Sequence, residues 1–515
     1  MIPKDPLFNL IKSLTKAEKR NFKLYVNRLN SNEHVKFLKL FEVLDKQENY
    51  VEEVIFKKIL GLKKGQLANL KRHLYTQILK SLRLIHSKKK VDIQIREQID
   101  FAKILYGKGL YLQSLKLLER IKGIAREAHQ DLLHLEIIEL QKMIEERHIT
   151  RSRKVKNKVE SLIEEANKRN YITYNISKIS NLKLQIHGLY IKQGHAKSEQ
   201  DHFMVKEYFH SNIRGIRKDQ LSFFEKVYLH QCYVWYYYIL LDFPYCYRHA
   251  RKWVSIFKMH PYMMEKDAAL YMRGLHYLLT VLFNMNYYSQ FEKVLKDFES
   301  FLNIYESDFN VNSNIICFLY YYPAKLNEHF LKGSFEEGLE LIPIVAQKLQ
   351  TYTLHLDQHR HLVFYYKIAW LYFGAGDLDK AIDYLNKIIQ LKVGHLREDI
   401  QCYARLLNLI VHYELGNHYS LEYWVASVDR FFAKMKNITQ VQSAMLHFFN
   451  NTLKRTAKQE ELALRKLRKQ LATLAKDPYE SRAFIYLDML SWLDSKIEEK
   501  PLQMIIQEKY AENYR

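Results

Sequence analysis

Residues 362–393 read LVFYYKIAWLYFGAGDLDKAIDYLNKIIQLKV, and the architecture of the chain is set out most plainly here. Apolar side chains recur every three to four positions on either side of Gly376-Asp377, the period of two amphipathic helices and not of strands. The Gly376-Asp377 turn reverses the chain between the two segments. Ala369 and Ala381 place a small side chain on each segment, which lets two helix axes approach closely. The unit is an antiparallel helix pair.

Weaker copies of this pattern extend on both sides. LYGKGLYLQSLKLLERI has Gly109 in the turn and Ser114 at the small position, and GLYIKQG ends at Gly194. FLKGSFEEGLELI holds Gly333 and Gly338, while HYELGNHYSLEYW has Gly416 but puts Leu421 where alanine is expected. Turn-like points at Tyr245 and Asn286 complete the series. Only 8 Pro and 15 Gly occur in 515 residues, with no Pro between Pro6 and Pro244, so almost the whole chain reads as helix.

The 362–393 unit resembles a tetratricopeptide repeat: Tyr365, Ile368, Ala369, Tyr372, Gly376, Asp377, Ala381 and Leu385 match the large, small and turn positions of that motif. The resemblance implies an all-α, right-handed superhelix of about eight antiparallel helix pairs over residues 91–436, whose concave face binds a protein or peptide. From Tyr245 the turn-to-turn intervals are 41, 47, 43 and 40 residues, longer than the family's usual repeat of about 34. Longer helices than the family's follow, and the family's superhelical pitch and groove shape do not carry over to this chain. The aromatic runs Tyr233–Tyr238 and Tyr320–Tyr322 fit either core filling or that groove, and Tyr236 and Tyr237 are the groove candidates.

A different chemistry occupies the N-terminus. Residues 54–90, VIFKKILGLKKGQLANLKRHLYTQILKSLRLIHSKKK, hold eleven Lys/Arg and no Asp or Glu. Residues 1–90 carry 21 Lys/Arg against 8 Asp/Glu, thirteen of the chain's +23 charges. A capping box at Thr15–Glu18 starts the first expected helix, and Phe37, Leu40, Phe41 and Leu44 mark the second, after a break at 30–32. The third covers about 51–60, stopped by Gly61. The fourth, about 64–86, has Leu67, Leu70, Leu74, Ile78, Leu82 and Ile85 as its inner stripe, with Arg72, Thr76, Lys80 and Arg83 opposite. A four-helix basic module is expected at 1–90, the solenoid at 91–436, and capping helices with a tail at 437–515.

Ordinary solvated helices mix charge signs, because like-charge neighbours repel; an acid-free run this long is relieved by a polyanion or an acidic protein surface. The plain alternative is a solvated face. The candidate anion contacts are Lys63, Lys64, Lys71, Arg72, Lys80, Arg83, Lys88, Lys89 and Lys90, suited to holding phosphates and not to reading bases. A second basic stretch lies at 151–158, and a third surrounds Leu464, Leu467, Leu471 and Leu474, the stripe of the first capping helix.

Several chemistries find no motif. GxxxxGK[ST], GxGxxG, HExxH and GxSxG are absent, and the four cysteines are scattered without metal spacing, as buried thiols of a reducing compartment. His355 and His359 read as the polar start of a helix and not as metal ligands. No catalytic, cofactor or metal set is expected. Lacking an apolar leader or spanning segment, the protein is expected to be cytoplasmic. The expected function is a non-catalytic adaptor: the solenoid binds a protein or peptide, and the basic module contacts nucleic acid or a ribonucleoprotein. The alternative is a DNA-binding regulator whose solenoid senses a peptide.

Overall fold

The computed structural model describes residues 5–28, 33–87, 90–147, 157–216, 221–353, 355–391, 397–434, 438–452 and 455–514. The described residues fold into α-helices and short turns with no strand, so the all-α expectation holds. No helix among them is long and apolar enough to cross a membrane. The chain divides into two compact units, Met1–Tyr174 and Asn175–Arg515.

The first unit opens on a helix beyond the four expected, Pro6–Ser13. Pro6 presets the helical φ at the first position, and the Asp5 carboxylate accepts from the Phe8 N–H at 2.9 Å. Leu7, Phe8 and Ile11 are its buried residues, so the described residues of the N-terminal module form five helices instead of four. Lys16–Asn27 starts at the expected capping box: the Glu18 N–H donates to the Thr15 hydroxyl at 3.2 Å, and the Thr15 N–H donates to the Glu18 carboxylate at 2.8 Å. Glu33–Lys46, Glu52–Lys58 and Lys64–His86 follow, packed around Phe22, Phe37, Leu40, Phe41 and Leu74. The expected break at 30–32 lies outside the described residues. Val91–Gly107, Tyr111–Glu127 and Asp131–Arg147 form a second packed set, with Ile99, Leu118 and Ile137 inside. Ser114 is fully buried there, its hydroxyl donating to the Ala102 carbonyl at 2.8 Å, as a small residue at a close helix crossing requires. A 36-residue helix, Lys158–Gln193, carries the chain through the boundary of the two units.

The second unit is a series of packed helix pairs, among them Phe223–Ile239 with Phe243–Met259, Ala268–Asn284 with Tyr288–Tyr305, and Glu398–Glu414 with His418–Phe432. The pair read first from the sequence is Gln358–Gly374 and Leu378–Gln390. Gly376 takes φ +82°, where an L side chain is strained, and Asp377 caps the second helix through the Lys380 N–H at 3.2 Å. Ala369, Ala381 and Leu385 are completely buried between the helices. Of the other expected turn points, Gly109, Gly194, Gly333, Gly416 and Asn286 adopt positive φ, whereas Tyr245 lies inside Phe243–Met259, with Leu241 taking the positive φ of the turn before it, and Gly338 ends the short helix Phe335–Gly338.

Ala457–Leu474 buries Leu464, Leu467 and Leu471 as expected, and Met489–Ile497 closes the region. Past Pro501 the tail forms a further helix, Leu502–Tyr514, that turns back onto the array. Gln507 Nε2 donates to the Gly333 carbonyl at 3.0 Å, and the Tyr510 hydroxyl donates to Glu292 at 2.8 Å. A Cβ on Gly333 would lie 2.9 Å from the Gln503 carbonyl oxygen, so this glycine permits both the turn and the docking.

Candidate functional site

The long helix Lys64–His86 positions the basic residues. Leu67, Leu74 and Ile78 are buried and Leu70, Leu82 and Ile85 half-buried, which fixes the helix's rotation and turns Arg72, Thr76 and Lys80 outward. Exposed Tyr75 and Leu79 interleave with these cations. Leu60, in the preceding turn, is 92% exposed and flanked by exposed Lys57, Lys58, Lys63 and Lys64.

Acids remote in sequence claim part of the run. Lys71 pairs with the buried Asp5 carboxylate, donates to the Tyr50 hydroxyl at 3.0 Å, and lies 4.7 Å from the centre of the Tyr50 ring. Burial opposes its charge, but the Asp5 and Tyr50 contacts outweigh that and raise the ammonium's pKa. Lys71 therefore ties the first helix to the long one. Arg83 reaches Asp100 at 3.3 Å, both exposed, and His86 lies 3.7 Å from Glu18. Among the described residues, Lys63, Lys64, Arg72, Lys80 and Lys90 are exposed and make no ion pair. Lys88 and Lys89 lie outside the described residues, as do 151–156 of the second basic stretch.

The two groove candidates are set differently. Tyr236 is 3% exposed and stacks on Phe209 with ring centres 4.1 Å apart; burial pushes its phenol up to about 12. Tyr237 is half-buried in a stacked row with Tyr233, Tyr245 and His249.

The second unit holds a polar constellation that the sequence reading did not assemble. His187, Trp235, Tyr277, His276 and Tyr320 form a continuous path of rings, with successive centres 4.5, 5.2, 5.3 and 4.5 Å apart. Arg273 Nε donates to the Tyr320 hydroxyl at 3.2 Å at its end. Lys183 lies one turn before His187 on the same helix, 4.1 Å from the Tyr228 ring centre. Lys367 donates to the Asn327 amide oxygen and sits over Phe283 and Phe330. Phe283 is two turns from His276, and Asn327 two turns from Tyr320, so Lys367 continues the same faces. Arg360 is two turns from Lys367 on Gln358–Gly374.

Lys183, Arg273, His276, Tyr277, Arg360 and Lys367 are half-buried, with Trp235 and Tyr320 buried beneath them and His187 exposed, which sets the cations in a recess. Burial, reinforced by Arg360, Lys367 and Arg273, pushes the His276 imidazole down to about 3; burial, Arg273, Arg360 and Lys183 likewise lower His187. Burial alone lowers the Lys367 ammonium to about 8. Among the described residues no acid forms an ion pair with Lys183, Arg273, Arg360 or Lys367. Asp267, within electrostatic reach of Lys183 and Arg273, caps its own helix through the Leu270 N–H at 3.1 Å. Asp399 is taken by Arg397, bound through two guanidinium nitrogens at 2.6 to 3.0 Å. Although burial would raise the Asp399 carboxyl, Arg397 and the Tyr486 hydroxyl hold it at about 2. The signal in the sequence was single cations inside apolar segments, as in LYMRGLHYLLTVLF, and not a charge run.

The described residues contain no group of three or more His, Cys, Asp or Glu placed to hold a metal ion, and all four cysteines are buried and not disulfide-linked. The fold and these sites define an all-α protein of packed helix pairs with two cationic surfaces, one exposed and one recessed. Comparison with protein-family models, curated proteins and solved structures finds no match to this chain.

Proposed function

We propose that the protein is a non-catalytic adaptor. Its helix pairs stack in the right-handed manner of tetratricopeptide arrays and hold a protein or peptide partner, while the N-terminal module contacts nucleic acid or a ribonucleoprotein. The observation that carries the anionic partner is the outward face of Lys64–His86: Lys63, Lys64, Arg72 and Lys80 are exposed without an acid, on a helix whose rotation is fixed by its buried leucines. Such a face gains from a phosphate backbone what it lacks internally, through release of condensed counterions. The exposed Tyr75 ring beside it offers a stacking surface for an unpaired base, which favours single-stranded RNA over duplex.

The test is a salt titration of the full-length protein with labelled single-stranded RNA and duplex DNA. Binding falls linearly in log–log form, and Arg72→Glu with Lys80→Glu flattens the slope by about two counterions, leaving the unfolding midpoint unchanged. Absence of binding at low salt, or unfolding of the double variant, removes the proposal. A second reading, a DNA-binding regulator with a ligand-sensing second unit, is favoured by the cationic recess; it requires one DNA sequence to bind far more tightly than competitor.

A further inference from the structure

The recess of the second unit concentrates Lys183, Arg273, Arg360 and Lys367 from three helices around a path of aromatic rings, with Asp267 as the carboxylate in reach. Four like charges gathered in half-buried surroundings repel one another. Arg397 and Lys325, half-buried in this unit, are neutralised at close range, Arg397 by Asp399 and Lys325 by Glu299 and Glu328 at 3.1 and 2.8 Å, whereas Arg405 lies over the Phe431 ring and donates to the Gln401 carbonyl. The recess gathers four cations for which no acid forms an ion pair among the described residues. Its lysines lean on rings instead, Lys183 on Tyr228 and Lys367 on Phe283 and Phe330, which orients the ammonium groups without neutralising them.

We propose that this recess is a binding site for a small phosphate-bearing ligand of several negative charges, a nucleotide or a short polyphosphate. The two guanidinium groups present planar forks that fit phosphate oxygens bidentately, and the two lysines add point charges. Half-exposed Tyr277 and exposed His187 supply further hydrogen-bonding groups and ring faces. A phosphate chain delivers three or four charges in the compass of a few ångströms, whereas carboxylates on a peptide would have to come from several residues. The side chains lie deep and only partly accessible, suiting a ligand that enters more than a surface that docks. The assignment stands apart from the nucleic-acid reading of the N-terminal face, because the two sites share no residue.

Isothermal titration calorimetry on the full-length protein, without magnesium, tests it with tripolyphosphate, ATP, adenosine and hexaglutamate as probes. Tripolyphosphate and ATP bind and adenosine does not; ATP the tighter of the two identifies ring stacking, and equal affinity identifies a polyphosphate site. Arg360→Gln and Lys367→Met each weaken ATP about tenfold or more, while Arg72→Glu with Lys80→Glu leaves it unchanged. Thermal melting of the same variants without ligand guards against trivial unfolding: removing an unneutralised recess cation leaves the midpoint unchanged or raises it. Failure of both phosphate probes, tighter binding of hexaglutamate, or loss of binding through the N-terminal variant overturns the proposal. So does a large drop in the unliganded midpoint of both recess variants, which would make these cations part of the packing.

Discussion

A Cβ on Gly374 would lie 2.4 to 2.5 Å from three carbons of the Phe335 ring, which is itself fully buried and cannot withdraw. Gly374→Ala is therefore expected to destabilise the protein by about 1–3 kcal/mol, read as a lower urea midpoint. An unchanged midpoint would mean that the ring repacks. His134 sets a second expectation at this scale. It is fully buried with Nε2 3.0 Å from Glu165, and burial with the nearby Arg169 lowers its pKa from 6.5 to about 4. The folded state thus keeps His134 neutral while the unfolded chain takes up a proton below pH 6.5. Stability falls as pH drops from 6.5 towards 4, by up to about 3 kcal/mol. Burial works against the Glu165 charge, but Lys122 and His134 outweigh it and hold the carboxyl low. Its stabilising share is present above the ordinary value of 4.5 and is lost as pH falls through the lowered one. Urea midpoints between pH 4 and 7.5 for His134→Gln should show a flatter decline than the parent from 6.5 to 4. An equally steep decline would place the titration elsewhere.

Among the elements, those announced by local chemistry were the most legible. The Thr15–Glu18 capping box and the Gly376-Asp377 turn each satisfy backbone groups within a few residues, so three or four letters suffice to see them. The Pro6–Ser13 helix carried an equally local signal, Asp5 before Pro6, but its eight residues are too short for apolar periodicity to stand out. Periodicity also predicts which small residues matter. Ala381 has no exposed surface between its helix and Gln358–Gly374, so Ala381→Leu should cost about 1–3 kcal/mol in chemical denaturation. A neutral outcome would show that this pair tolerates a wider crossing than its alanines imply. The tail was less legible. Leu502–Tyr514 is held by hydrogen bonds to Gly333 and Glu292, some 174 and 218 residues away, and no local pattern encodes such partners.

At the scale of the molecule the net charge of +23 is itself a force. Raising salt from about 10 to about 100 mM shortens the screening length from about 30 to about 10 Å, relieving like-charge repulsion on both cationic surfaces. The thermal midpoint is expected to rise over that range, as scanning calorimetry would show. A fall would mean that attractive pairs such as Lys332 with Glu292 and Glu328 dominate. Helix content, the antiparallel pairs, the turn glycines at positive φ and the outward basic face of Lys64–His86 were all readable from spacing, because each depends on neighbours within a turn or two. Which cations are neutralised was not readable. Lys71 finds Asp5, 66 residues away, while Lys367 and Arg360, in a segment that reads simply as core helix, lie without an acidic partner, Lys367 over rings from other helices. Pairing and burial depend on distance in space, which periodicity along the chain does not carry; tertiary packing turned one lysine into a strut and four other cations into a recess.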